Sequence, residues 1–311
     1  MHYSIILNPT AGNGNGSRVW PGIQQQLVQN QVDFSMQATK DETSAAYFAR
    51  RLATVQYSTK TTVLVIGGDG TLHDVLNSLI ANTPAHAQQL PLAYIPVSKL
   101  SRFARAYGIS LDPAGALQQV LAAGASEQVH IGHYHDAIKD NDGYFLNSIG
   151  IGFDAALLNQ RNQASKRQKF RWSRLAFFSR ATAILYNQQP FQLMLNGTTG
   201  RLLSPKAYIA IVTNHPFTDS RIQLTTTGGL HENNLDLIVA ERRGWPLTFW
   251  QLHQFYRGRL ASSRWAIHQS GTNFHLTTTS LEFCQVDGEP LGNRFLDMTI
   301  TSTSYPFLQQ H

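Results

Sequence analysis

The stretch VLVIGGDGTLHDVLNSL, residues 63–79, determines how the first part of the chain folds. Four apolar residues, Val63–Ile66, run directly into a Gly-Gly-Asp-Gly-Thr turn at 67–71. Apolar residues then return at the spacing of a helix face, at Leu72, Val75, Leu76 and Leu79. The stretch therefore predicts a buried strand that ends at glycines and leads into a helix.

Strand and helix signals alternate over the first 125 or so residues. Short apolar runs lie at residues 3–8, 33–39, 61–68 and 90–97, and helix-like stretches follow them. Such alternation is typical of a parallel sheet with helices on both faces. We therefore predict an α/β N-terminal domain over residues 1–127.

The pattern changes after about residue 127, where short alternating runs are separated by Gly, Asn and Asp. This pattern is typical of antiparallel strands. We predict a β-rich C-terminal domain over residues 128–300, and we expect a tail, 301–311, to pack back on the first domain. A length of 311 residues agrees with two domains.

Composition limits the classes of function. The 25 Lys and Arg exceed the 19 Asp and Glu, so the net charge is +6, which favours an anionic partner: nucleic acid, lipid headgroups or a nucleotide. No run of about 18 apolar residues is found, the N-terminus does not resemble a signal peptide, and Cys284 is the single cysteine. We expect a cytoplasmic protein.

The glycine corner at 67–71 suits a phosphate, because uncovered backbone N–H groups and a helix N-terminus both attract anions. Asp69 then requires a cation or a substrate proton nearby, which points to Mg²⁺-nucleotide chemistry. The alternative is a plain glycine turn with Asp69 as the helix cap. Residues 7–14, LNPTAGNG, form a second corner of this kind, and two such corners would line one crevice.

Late in the chain, QVDGEPLG places Asp287 and Glu289 two residues apart. On a strand both carboxylates would face the same side and could address one metal or one hydroxyl. The alternative is a hairpin turn at Asp-Gly, and taken alone that interpretation is the better one.

Together these segments resemble a known family. The chain contains, in this order, NPTAG, GGDGTLHDVLN, PVSKLSRFARAYGI, SIGIGFDAAL and VDGEP. Their order and separations resemble those of the diacylglycerol kinase catalytic family, specifically the bacterial soluble lipid kinases that are similar to sphingosine kinases. The resemblance covers nearly the whole chain. It implies a Rossmann-like nucleotide domain of the NAD-kinase and diacylglycerol-kinase type, followed by a β-rich sandwich domain.

The resemblance also implies an activity, which is ATP-dependent and Mg²⁺-dependent phosphorylation of a hydroxyl on diacylglycerol or a related lipid. Glu289 would accept the hydroxyl proton, and Asp287 would be its metal-side or orienting neighbour. Asp69 would lie near the phosphates and the metal. The residues expected to hold ATP are Asn8, Thr39, Gly67, Gly68, Asp69, Gly70 and Thr71.

One segment departs from the family. Ser98, Lys99, Ser101 and Arg102 stand where the family has Gly, Thr, Asn and Asp. One hypothesis is that Lys99 and Arg102 replace the lost phosphate contacts. The competing hypothesis is a family member that binds lipid or nucleotide without catalysis.

A second departure concerns a structural Mg²⁺ site that bacterial members hold in a loop. Here the corresponding residues are Leu230, Asn233 and Leu235, with an amide in place of the usual carboxylate. Because an amide is the weaker ligand for a hard cation, we expect a weak site.

Two segments combine basic and aromatic residues, 166–180 and 242–260. Such a mixture suits the surface of an anionic membrane, and a solvated helix face is the alternative. We expect a lipid substrate, peripheral contact with an anionic membrane and no nucleic acid partner. The sequence does not decide whether the protein forms a homodimer.

Overall fold

A computed structural model describes residues 1–309 except 56–59, 164–181, 187, 199, 216, 220–221 and 224–232. For residues 161–163, 217–219, 222–223 and 256 it describes the backbone alone. The chain divides into two compact units. The first unit comprises Met1–Ile131 and Ser304–His311, and the second comprises Gly132–Thr303.

The first unit alternates strands and helices, as the sequence predicts. Its elements are β1 His2–Leu7, α1 Ala11–Gln29, β2 Asp33–Ala38, α2 Ser44–Ala53, β3 Thr61–Gly67, α3 Asp69–Asn82, β4 Leu92–Pro96, α4 Arg102–Ala106 and α5 Pro113–Ala122. The strand order is β2-β1-β3-β4, and every neighbouring pair is parallel. All seven residues of β3 are buried, as expected for a central strand covered by helices on both faces.

The C-terminal residues complete this sheet. Phe307 pairs in parallel with Leu92, and the Leu308 N–H donates to the Leu92 carbonyl oxygen at 2.7 Å. The side-chain amide of Gln309 then accepts from the Tyr94 N–H at 3.2 Å and donates to the Tyr94 carbonyl oxygen at 3.1 Å. The edge of β4 therefore bonds to backbone at Leu92 and to the Gln309 side-chain amide at Tyr94. This amide donates and accepts as the backbone of a neighbouring strand would.

The second unit is rich in antiparallel strands. Its elements are β5 Glu127–Asp136, which begins in the first unit, β6 Asn141–Phe145, β7 Ser148–Gly152, α6 Phe153–Gln163, β8 Phe191–Gly197, β9 Gly200–Thr213, β10 Phe217–Asp219, β11 Ile222–Gln223, β12 Leu235–Glu241, α7 Trp245–Tyr256, β13 Ala266–Gly271, β14 Asn273–Thr278, β15 Glu282–Val286, β16 Glu289–Arg294 and β17 Asp297–Phe307. The main strand order is β16-β15-β7-β9-β8-β14-β17, with β12 between β9 and β13. The predicted class, α/β followed by a β-rich region, is confirmed.

Both faces of the second unit's sheet are covered, and β12 shows how. Leu235, Leu237 and Val239 belong to one apolar cluster, whereas Ile238 and Ala240 belong to another that includes residues of α6 and α7. Successive residues of a strand point to opposite faces, so the part of β12 between the two apolar layers, residues 237–240, is apolar at every position. Among the described helices of the chain, none is both long and apolar enough to cross a bilayer.

Candidate active site

The carboxyl ends of the parallel strands of the first unit meet along one edge of the sheet. Asn8 follows β1 and donates its backbone N–H to Ile66 at 2.8 Å, while Thr39 follows β2 and donates its backbone N–H to Leu7 at 2.8 Å. Val97, after β4, donates its N–H to the Gly67 carbonyl oxygen at 2.9 Å. Ligands of open α/β sheets bind at such an edge, which makes it the candidate site in this unit.

The two predicted glycine corners are joined by one side chain. Asn8 donates its Nδ2 to Thr71 Oγ1 at 2.9 Å across the edge between β1 and β3. Its Oδ1 accepts from the Thr10 N–H at 3.2 Å, the Thr10 hydroxyl at 3.0 Å and the Ala11 N–H at 3.1 Å. Asn8 therefore closes the turn that leads into α1 and fixes it to the start of α3.

The corner at residues 7–14 also reaches the end of β4, a contact that the sequence pattern did not reveal. Gly12, Asn13 and Gly14 have positive φ angles of 62°, 61° and 83°, so the start of α1 is a left-handed loop. A Cβ at Gly12 would lie 2.4 Å from the Val97 carbonyl oxygen, and Asn15 donates its Nδ2 to that same oxygen at 2.9 Å. The corner at 7–14 therefore packs directly on the end of β4.

Gly68 leaves room for a ligand to approach the backbone. It is the N-cap of α3, and a Cβ added there would meet no atom within 4 Å. A Cβ at Gly67, by contrast, would lie 2.9 Å from Thr71 Cβ. Gly67 is thus required for packing, whereas Gly68 leaves free space beside the first N–H groups of α3, at Asp69, Gly70 and Thr71. This space and the helix N-terminus fit a phosphate group.

A cleft of about 480 Å³ lies beside these corners. It is lined by Gly12, Asn13, Asn15, Arg18, Val97, Ser98, Lys99 and Leu100. Arg18 and Lys99 are both exposed and give the cleft two positive charges. Lys99 is a predicted site residue; Arg18 was missed because it lies on the surface of α1 without a motif of its own.

The Asp69 carboxylate accepts hydrogen bonds from residues that follow β3 by more than 20 positions in the chain. Its Oδ1 accepts hydrogen bonds from Ser101 Oγ at 2.5 Å and from Tyr94 OH at 3.1 Å. Its Oδ2 accepts from the backbone N–H groups of Arg102 at 2.8 Å and Phe103 at 3.4 Å. The carboxylate therefore caps α4 rather than its own helix, whose cap is Gly68. Protein donors already engage both oxygens, so direct metal ligation by Asp69 requires the exchange of one of these bonds.

The departing segment, residues 98–102, takes part in this network. Ser101 is the N-cap of α4: its hydroxyl accepts from the Ala104 N–H at 3.1 Å while donating to Asp69. Burial, and then the neighbouring charge of Asp69, raises the pKa of Tyr94 well above its ordinary value, so its hydroxyl remains a hydrogen-bond donor. Ser101 therefore has a defined structural role in this chain.

In the second unit, Asp287 and Gly288 form the turn of a hairpin. Val286 pairs with Glu289, and the two residues between them have positive φ angles of 52° and 94°. Two left-handed residues in a two-residue loop are the signature of a type I′ turn. The prediction that Asp287 and Glu289 share one face of a strand is therefore wrong, and the alternative, an Asp-Gly hairpin, is what the structure has.

The carboxylate of Asp287 holds a neighbouring loop. It is buried and accepts from the backbone N–H groups of Leu146 at 2.7 Å, Asn147 at 2.7 Å and Ser148 at 3.0 Å. Its own N–H donates to the Ser148 carbonyl oxygen at 2.9 Å. Of the two roles predicted for Asp287, these bonds support the orienting one, since they turn the carboxylate toward backbone.

Glu289, the first residue after this turn, is exposed. Its carboxylate makes no hydrogen bond or ion pair with any residue that the structure describes. A carboxylate on a rigid hairpin with free lone pairs is available to accept a proton or to meet a cation.

The remaining predicted positions lie elsewhere. Leu230, and the basic-aromatic segment 166–180, lie outside the described residues. Asn233 is exposed, and Leu235 is buried at the start of β12, opposite Gly271. The weak metal site at these residues therefore stays a prediction.

The first unit is an α/β unit with a candidate phosphate site at one edge of its sheet, and the second unit is rich in strands; comparison with known proteins agrees with this fold. Residues 2–134 match the model of the Diacylglycerol kinase catalytic domain. The predicted resemblance is confirmed.

Relatives support the lipid-kinase branch. "Putative lipid kinase YtlR" of Bacillus subtilis (strain 168) is 28% identical over 258 residues, which cover 81% of each chain. "Putative lipid kinase SA0681" of Staphylococcus aureus (strain N315) is 23% identical over 263 residues, covering 82% of this chain and 79% of that one. The fold is shared with the crystal structure of "a putative diacylglycerol kinase" from Bacillus anthracis str. Sterne, which has a TM-score of 0.75, 18% identity, and coverage of 99% of this chain and 95% of that chain.

Proposed function

We propose that the protein is an ATP-dependent lipid kinase that phosphorylates the hydroxyl of diacylglycerol or a related lipid. The observation that carries this proposal is the link between the two glycine corners, where Asn8 bonds to Thr71 beside the open backbone of Gly68. The names of the relatives supply the substrate class.

In this proposal the edge of the first unit binds the nucleotide. The N–H groups at the start of α3 meet phosphate oxygens, and Gly68 allows the close approach that any side chain would prevent. Arg18 and Lys99 neutralise further phosphate charge from the adjoining cleft. Asn8 and Thr39 hold the two neighbouring loops in place.

In the second unit Glu289 is proposed as the general base. As the lipid hydroxyl oxygen forms its bond to the terminal phosphorus of ATP, the bond from that phosphorus to the oxygen of ADP breaks, and the hydroxyl proton passes to the Glu289 carboxylate. Asp287 is a positioning residue, because it anchors the turn that precedes Glu289. Bound Mg²⁺ would supply neutralisation of phosphate charge.

The test is transfer of radiolabelled phosphate from ATP, with Mg²⁺, to a panel of diacylglycerol, monoacylglycerol, phosphatidylglycerol, undecaprenol and sphingosine in mixed micelles. Glu289→Gln keeps the size and the turn but removes the base, so kcat should fall by a factor of about 10² to 10⁴ while the KM for ATP stays near the native value. Glu127→Gln removes a different exposed carboxylate and should leave both constants unchanged.

Lys99→Ala tests the departing segment separately. If Lys99 contacts phosphate, the KM for ATP rises by about tenfold or more, since a charge-assisted contact contributes about 1.5 to 3 kcal/mol. Labelling of one lipid that survives Glu289→Gln at the native rate would refute the assigned base. ATP binding without transfer to any lipid would instead favour a family member that binds nucleotide and no longer catalyses.

A further inference from the structure

Helix α7 of the second unit exposes three aromatic side chains. Trp245, Phe249 and Trp250 are 38%, 41% and 41% exposed, whereas Leu252 and Phe255 of the same helix are buried. A helix that packs on its own domain ordinarily turns its apolar stripe inward, as α7 does with Leu252 and Phe255. The three exposed rings therefore leave apolar area that the packing of α7 does not cover.

Trp245 and Phe249 form a connected group with a residue from another segment, and Trp250 is the next residue along α7. Tyr186, which is 71% exposed, stacks on Trp245 with ring centroids 5.6 Å apart and an interplanar angle of 19°, and Trp245 lies 5.8 Å from Phe249. We call Tyr186, Trp245, Phe249 and Trp250 the aromatic face. Contiguous exposed apolar surface of this kind marks a site of interaction.

The segment that carries the aromatic face is rich in arginine. Residues 242–265 contain five arginines and no Asp or Glu, namely Arg242, Arg243, Arg257, Arg259 and Arg264. The Arg242 guanidinium lies 4.3 Å from the centroid of Trp245, whereas Arg243 pairs with Glu241 at 3.0 Å. This segment therefore carries an excess of positive charge.

We propose that the aromatic face and its arginines dock the protein on a phospholipid bilayer with anionic headgroups. Trp, Tyr and Phe rings enter the boundary between headgroups and acyl chains, and arginines meet the headgroup phosphates. Single-stranded nucleic acid also binds aromatic and basic surfaces, but it stacks its bases on free ring faces. Here Trp245 is already covered by Tyr186 and Arg242. A lipid boundary needs only exposed apolar area, and this surface offers it.

The inference goes beyond the proposed activity, and its test needs no ATP. The full chain is sedimented with vesicles of phosphatidylcholine and with vesicles of equimolar phosphatidylcholine and phosphatidylglycerol. Phe249→Ala/Trp250→Ala should weaken partitioning onto the anionic vesicles by about tenfold or more, as burial of aromatic rings is lost. The matched control, Leu281→Ala/Phe295→Ala, removes side chains that are 52% and 50% exposed elsewhere in the unit and should bind as the native chain does.

A charge variant tests the second half of the inference. Arg257→Gln/Arg264→Gln should lower partitioning onto anionic vesicles by about tenfold or more, because each arginine near such a surface contributes about 1 kcal/mol. The difference from the native chain should shrink at high salt. Circular dichroism and thermal melting check that every variant folds.

Three results would overturn the inference. One is native-like partitioning of the Phe249→Ala/Trp250→Ala variant, which would assign any binding to other segments, such as 166–180. A second is equal loss in the Leu281→Ala/Phe295→Ala control. The third is binding to single-stranded DNA that these same α7 substitutions abolish while vesicle partitioning persists, which would make the surface a nucleic-acid site.

Discussion

Replacing Asp287 by alanine should destabilise the second unit by several kcal/mol. The carboxylate satisfies three buried backbone N–H groups, at Leu146, Asn147 and Ser148. Each buried donor left without a partner costs about 1 to 3 kcal/mol. Since a water can replace part of the lost bonding, we expect about 3 to 6 kcal/mol for the three together. The left-handed backbone at Asp287, with φ of 52°, adds about 1 kcal/mol once the residue is alanine.

The chain contains a matched control for this backbone cost. Asp140 is also an aspartate in a hairpin turn with a positive φ, 50°, but its side chain is exposed. Asp140→Ala should therefore lose only about 1 kcal/mol. Urea unfolding of both variants gives the difference, which we attribute to the three hydrogen bonds. Asp287→Asn should fall between them, because its amide accepts from some of the three N–H groups and presents an N–H to the rest.

Hydrogen exchange provides a local measurement that does not depend on two-state unfolding. The amides of Leu146, Asn147 and Ser148 should be protected in the native chain and in Asp140→Ala, and should exchange much faster in Asp287→Ala. Equal loss of stability in the Asp287 and Asp140 variants, with these amides still protected, would refute the reasoning.

Three further predictions follow from single positions. Gly68→Ala should change the free energy of unfolding by no more than about 1 kcal/mol, since its added Cβ has free space. It should nevertheless weaken ATP binding, measured by titration calorimetry, at least about tenfold. In the control Gly124→Ala, where a Cβ also meets nothing, ATP affinity should stay at the native value. Burial raises the pKa of Glu282 despite a hydrogen bond from Ser280. The contribution of this carboxyl group to stability is therefore complete below its ordinary pKa and is lost as the pH rises through the raised value. Glu282→Gln should unfold at a higher urea concentration than the native chain at about pH 7, and at the same urea concentration at about pH 3.5. Burial also raises the pKa of Cys284 to about 12, so iodoacetamide should label it at about pH 8 only after unfolding; rapid labelling of the folded chain would contradict this.

The parallel sheet was predictable because its signals are local. Val63–Ile66 followed by glycines identifies a buried strand that ends at a turn, and the same order of signals recurs along the first unit. The corner at 7–14 was found in the same way. That Asn8 contacts Thr71 follows from the parallel pairing of β1 with β3, which brings residues 63 positions apart together.

The roles of the aspartates were not predictable in the same way. Asp69 was interpreted from its place beside glycines, yet its carboxylate faces the start of α4, more than 30 residues later. Asp287 and Glu289 were interpreted as alternate residues of one strand. In the structure Asp287 and Gly288 both have positive φ angles and form a turn, so the alternation of a strand does not apply to them. The Asp-Gly pair is a turn signal, and the hairpin that it indicates, taken alone the better interpretation, is what the structure has.

The sequence by itself determined the strand and helix order, the glycine corners, the excess of positive charge and the family resemblance, because each of these depends on residues close together in the chain. Only the tertiary structure decided which partners the carboxylates of Asp69 and Asp287 have, that Arg18 shares a cleft with Lys99, and that α7 turns its rings outward. The physical reason is that hydrogen bonding and burial depend on which distant segments pack together, and residue type alone does not encode that neighbourhood.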